Sequence, residues 1–217
     1  MPEIKKVGVQ MLAVKQPGLI TAFNKAEVPP HLNENEVNRL TGVYQEWFDR
    51  KPTARRARQW AVFLLMRFTG CRVSEAISVN DSRDLDFRRC EVVLPTLKRH
   101  GRAKGKVKRT VPLPANMVAE FAKIIAEFPK LKGSLFKISR IAVFNCFKAR
   151  AKEAGLPEEL RHPHVLRHTR AIELLRAGVP VSAVQQLLGH ASITTTAVYL
   201  RFTGQEIKQI LQAKALI

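Results

Sequence analysis

One stretch interrupts a chain that otherwise reads as helix from residue 32 onward, and it restricts the fold more than any other feature. From Asp84 the helical pattern stops. Glu91-Val92-Val93-Leu94 and Val107 to Leu113 read as two strands, joined by a loop that holds Gly101 and Gly105. Pro112 and Pro114 mark the end of the second strand, because proline cannot donate to a ladder. The expected class is therefore mainly α with a small antiparallel β-sheet or hairpin.

The helices carry their own punctuation. Leu32, Asn33, Glu36 and Val37 occupy the places of a hydrophobic staple and capping box, so a helix is predicted to begin at Asn33. Pro52 breaks the chain, Thr53 caps a second helix to about Phe68, and Gly70 suits the position after its end. Beyond the strands, helices are predicted over Ala115 to Phe128, Ser139 to Ala154, Pro163 to Ala177 and Val181 to Leu188. Thr203 and Glu206 form a second capping box for a last helix to about Lys214. Residues 1–31 mix prolines with short apolar patches and no period; they read as an N-terminal arm or linker.

Charge narrows the function. Lys and Arg number 37 against 18 acids, a net charge of +19 on 217 residues, and such a field draws a polyanion. Double-stranded DNA is the expected partner; a membrane surface is the rival. No run approaches the ~18–20 apolar residues that span a bilayer, and no secretory signal follows Met1. Three separated cysteines, Cys71, Cys90 and Cys146, form no C-x-x-C pair, which suits a reducing compartment. A cytoplasmic, nucleoid-associated protein is expected.

The cations are clustered. Seven lie between Lys98 and Arg109 with no acid: Lys98, Arg99, Arg102, Lys104, Lys106, Lys108 and Arg109. A second acid-free group of seven runs from Lys130 to Lys152. A solvated basic face is the plain reading of either; a hairpin so loaded is also a good tracker of backbone phosphate.

Three short segments could carry chemistry. Arg161 to Arg170 reads RHPHVLRHTR. Its three histidines are poor metal candidates, since arginines flank them and no acid or cysteine is near. His164 and Arg167 are three apart, which places both on one face of a helix where they could hold a phosphoryl oxygen. Residues 69–76 read TGCRVSEA, with Arg72 and Glu75 three apart, the spacing of a simple ion pair. Residues 188–200 read LGHASITTTAVYL, setting His190 nine residues before Tyr199, which on its own could be a core tyrosine.

Together these segments resemble the tyrosine recombinase (phage integrase) family over roughly residues 32–217. The match lies in Arg72 after Thr-Gly, a hairpin lysine, His164-x-x-Arg167, Leu188-Gly189-His190 and Tyr199, in that order. The resemblance implies a site-specific recombinase or integrase that cleaves and rejoins DNA through a 3′-phosphotyrosyl link, with no metal, ATP or other cofactor. It gives Tyr199 as nucleophile and Arg72 and Arg167 as a phosphate clamp. His164 would take a proton, His190 would donate a hydrogen bond, and Glu75 would support. Lys98, after a strand and a Thr-Leu pair, is the better match for the hairpin lysine; Lys104 and Lys106 share its loop. The other hairpin cations would bind DNA backbone.

Cys71 and Ala76 stand where leucine is commoner and read as packing changes. The arm leaves no room for a full N-terminal core-binding domain, so residues 32–217 are expected to be the catalytic domain. A homotetramer on two DNA sites, joined through the C-terminal helix with Ile207, Ile210 and Leu211 on one face, is the implied assembly. Two alternatives stay open: a type IB topoisomerase-like enzyme, and a DNA-binding protein that keeps the scaffold but needs a partner for activity.

Overall fold

The computed structural model describes residues 29–96 and 107–189. Helix α1 (Glu34–Arg50) starts as its sequence predicts: Asn33 accepts from the Glu36 amide at 2.9 Å and donates its own amide to Glu36 Oε2 at 2.8 Å. Two of the orphan donors of the first turn are thereby satisfied. The Leu32 amide donates to Thr169 Oγ1 at 2.9 Å, which ties this start to a helix far along the chain.

Helix α2 (Ala54–Thr69) is the spine of the molecule. Every side chain from Trp60 to Met66 is buried, so this stretch of the helix is apolar on all sides and must be surrounded. It packs against α1, against α6 (Arg140–Glu153) and against α7 (His164–Arg176). Gly70 ends it at φ +63°, a conformation that suits glycine. A Cβ at Gly70 would also lie 2.5 Å from Leu188 Cδ2, so the next layer approaches the backbone itself.

Two one-turn helices follow, α3 (Val73–Ala76) and α4 (Asp81–Asp84). Then come strands β1 (Leu85–Asp86), β2 (Glu91–Pro95) and β3 (Lys108–Pro112), an antiparallel sheet in the order β1-β2-β3. The register sets Val92 opposite Val111 and Leu94 opposite Arg109. Helix α5 (Ala115–Glu127) and α8 (Val181–Leu188) complete the described elements, with 3-10 turns at Pro129–Leu131 and Glu158–Leu160. The class is the expected one, mainly α with a small antiparallel sheet. The predicted last helix lies outside the described residues. Among those described, no helix is long and apolar enough to cross a membrane.

Candidate active site

The turn after α2 places the first candidate. Arg72 occupies the N-cap position of α3, where a short polar side chain is usual. Glu75 supplies the cap instead, since the Arg72 amide and Nη1 both donate to its carboxylate, each at 3.1 Å. Glu75 is fully buried (0% exposed) and also accepts from Arg109 Nη2 at 2.7 Å. Burial alone would raise this carboxyl, but the hydrogen bond and charge of Arg109, with those of Arg72, outweigh it and hold the group below its ordinary value. Glu75 is thus an anion shared by two guanidiniums.

The second candidate comes from α7. Arg167 is 3% exposed, and its Nη1 donates to the Gly70 carbonyl at 2.9 Å. Its Nη2 is buried and has no hydrogen-bond partner among the described residues. Burial, then the repulsion of Arg72, lowers its pKa to about 10, so the guanidinium stays charged at neutral pH. A buried N–H of a cation with nothing to bond is costly, and an anion would relieve it.

His164 stands three residues earlier on α7, its ring stacked on His168 with centroids 5.3 Å apart. Partial desolvation leads, and the charges of Arg167 and Arg72 add to it, in pulling the His164 pKa below the ordinary imidazole value. The neutral ring is therefore favoured at pH 7 and can accept a proton. Desolvation and the neighbouring imidazoles take His168 lower, to about 4.

Arg72, His164 and Arg167 line one cleft of about 270 Å³. Ser74 and Arg140 line it too, and neither was expected there. Arg140 was visible in sequence only as one of seven cations in the second cluster. Its position right after the N-cap Ser139 was the one hint, since it places Arg140 at the start of α6. Behind Arg72, burial pushes the Cys71 thiol up to about 11, and Ala76 is fully buried. Both are neutral packing residues in the described structure.

The hairpin cations do not behave alike. Lys108 is exposed on β3. Arg109, grouped with the backbone-binding cations at the level of sequence, points the other way. Its side chain is 9% exposed, and it is bonded to Glu75 and to carbonyls of two neighbouring elements. The alternation along β3 explains this: Arg109 shares a face with buried Val111, two residues on. Lys98, Arg99, Arg102, Lys104, Lys106, His190 and Tyr199 lie outside the described residues.

The other tyrosine of the sequence, Tyr44, is buried in the core, stacked on Phe63 with ring centroids 4.0 Å apart. Burial raises its pKa well above the ordinary phenol value. It has neither access nor acidity for attack on a phosphate. Among the described residues no group of three or more His, Cys, Asp or Glu side chains is placed to hold a metal ion.

The phage integrase family model matches residues 30–206. The chain belongs to that family. This integrase-family chain is 32% identical over 186 residues to a tyrosine recombinase of Thermosipho africanus, covering 84% of the chain and 60% of that relative. It is 33% identical over 198 residues to the tyrosine recombinase XerD of Bifidobacterium longum, covering 83% and 60%. The chain thus spans 60% of the length of each of these two relatives. Among solved structures, XerH recombinase bound to palindromic difH substrate, a post-cleavage complex, superimposes with a TM-score of 0.69 at 24% identity, covering 85% of this chain and 53% of that one. The catalytic domain of bacteriophage HP1 integrase gives a TM-score of 0.58 at 23% identity, covering 84% and 93%. These likenesses show a shared fold.

Proposed function

We propose that the cleft of Arg72, His164 and Arg167 receives the scissile phosphate of double-stranded DNA, and that the chain is a site-specific recombinase. The buried, unpartnered Nη2 of Arg167 carries this reading. It is a preorganised donor on a fixed cation, in a cleft with a second guanidinium, and it lacks only an anion.

In the proposed reaction, Tyr199 Oη attacks phosphorus and the bond from phosphorus to the 5′-oxygen breaks. A 3′-phosphotyrosyl link and a free 5′-hydroxyl result. The phenol proton passes to His164, whose depressed pKa favours the neutral, accepting ring. The 5′-oxygen takes its proton from a hairpin lysine, with Lys98 the candidate. Charge that builds on the non-bridging oxygens meets Arg72 and Arg167, and His190 adds a hydrogen bond. The bond energy stays in the covalent link, so reversal rejoins the strand without ATP.

Tyr199 is favoured as nucleophile because the sequence holds two tyrosines and the other, Tyr44, is locked in the core. Residues 32–217 form the catalytic unit in this reading, with residues 1–31 as an arm. Four copies would act on two duplexes in this reading. Lys108, exposed on β3, would follow the DNA backbone together with Arg99, Arg102, Lys104 and Lys106 of the same cation-rich run.

Nicked duplexes tiled across the DNA on either side of the protein's own coding sequence test this by covalent trapping. An adduct mapped to Tyr199, abolished in Tyr199→Phe with DNA binding retained, is the expected outcome. Binding without any adduct would instead favour a DNA-binding protein on the same scaffold.

A further inference from the structure

Arg109 joins three parts of the fold that sequence separates. Nη2 donates to Glu75 at 2.7 Å, and Nε donates to the carbonyl of Leu187 in α8 at 2.8 Å. Nη1 reaches Thr96 Oγ1 at 3.3 Å and the Pro95 carbonyl at 3.4 Å, at the end of β2. Gly189 lets this happen: a Cβ there would lie 2.8 Å from Nη1, so only a bare backbone allows the guanidinium so close. Glu75, held by Arg109, in turn holds both the backbone and the guanidinium of Arg72.

Resting on the reading of the cleft as a cleavage site, we propose that Arg109 is a positioning residue for strand cleavage, acting through Glu75 to set the Arg72 guanidinium while clamping α8 to β2. A phosphate contact needs free donors, and each nitrogen of Arg109 already has a partner within the fold. Its donors sit on three nitrogens in one rigid plane, and each nitrogen meets a different partner, a geometry that the single nitrogen of an ammonium does not reproduce. Without Arg109, Glu75 would keep only Arg72 as a charged partner, and Arg72 would lose the fixed support that aims it. The clamp also holds the chain at Thr96, two residues before Lys98, and at Leu187, three residues before His190.

The test is single-turnover cleavage of the trapped duplex at saturating protein, alongside DNA affinity and its salt dependence. In Arg109→Lys the saturated rate should fall about 100-fold, the scale of a small misplacement at a reacting centre. Affinity and salt slope should not change. The double variant Arg109→Lys, Arg72→Lys should be no slower than Arg72→Lys alone. A duplex with sulfur at the 5′ bridging position, whose leaving group needs no proton, should not restore the rate.

Four results would overturn the proposal. A salt slope lower by about one at an unchanged saturated rate would make Arg109 a phosphate contact. Additive losses in the double variant would disconnect it from Arg72. Rescue by the sulfur substrate would mean that Arg109 serves the proton donor instead. An equal loss in Arg67→Gln, which breaks the partly exposed Arg67–Glu173 ion pair between α2 and α7, would mean that loss of any ion pair between these elements suffices. Should Arg109→Lys not fold, Glu75→Gln replaces it, with the same rate loss expected and a normal rate refuting. Failure of the underlying reading shows separately, as wild-type protein that binds but forms no adduct.

Discussion

Arg109 and Arg167 are both largely buried cations near Glu75, yet they differ in what surrounds them. Arg109 has a partner for each of its three nitrogens. Arg167 has one carbonyl, no carboxylate partner among the described residues and a buried Nη2 left over. A fully partnered buried ion is part of the framework. A buried ion left short has been desolvated without compensation, which a fold retains when something outside the chain completes it. The difference separates the groups that hold the site from those that await a ligand.

The widest test of that contrast is stability. Arg109→Met should cost about 3–5 kcal/mol, the usual loss when one member of a buried charge cluster is removed. Arg167→Met should stay within about 1 kcal/mol, since a poorly paired charge leaves along with one hydrogen bond. Urea unfolding of the two variants decides it; equal losses would erase the distinction.

Activity should rank them in a different way. Arg167→Lys keeps a charge but loses the planar fork, so the cleavage rate should fall by about 100- to 1,000-fold, the scale of a lost oxyanion donor. Unlike Arg109→Lys, this variant should also lose any thermal stabilisation by inorganic phosphate or sulfate, because the anion occupies the donor that wild type leaves open. A wild-type melting point indifferent to those anions would count against an open donor.

The smallest expected effect is in pH. His164 and His168 have depressed pKa values in the fold, His168 near 4. Below about 6.5 the unfolded imidazoles bind protons that the folded ones refuse. Stability from this side is therefore complete above about 6.5 and declines as pH falls toward 4. Glu75 is depressed as well, so its contribution is present above the ordinary carboxyl value and is lost only in stronger acid, as pH falls through its folded value. His168→Gln should flatten the first limb of a stability–pH curve and leave the second. A curve unchanged by that substitution would break the assignment.

Long elements with caps were legible in the sequence. Val181–Leu188 matches its predicted bounds, and the capping box of α1 is present in both its hydrogen bonds. β1, α3 and α4 were not foreseen, because two to four residues carry no period. Helix α4 depends on contacts far away in sequence: Asp81 accepts from the amides of Gly133 and Leu135. In the candidate site, Arg72, His164 and Arg167 meet as their motifs implied. Arg140 was lost among its neighbours, since a helix N-terminus brings it to the cleft and no motif does. Arg109 was misjudged because a run of seven cations hides strand alternation, although Val111 two residues on gave its face away.

The stacking of Tyr44 on Phe63 has an optical consequence. The molecule contains two phenols, and one of them is held protonated far into alkali by the core that buries it. While the fold is intact and Tyr44 remains a neutral phenol, any ultraviolet absorbance of phenolate can come from Tyr199 alone. The protein is thus its own single-site indicator: the ionisation of the proposed nucleophile can be followed without a label, with and without DNA, against a silent background.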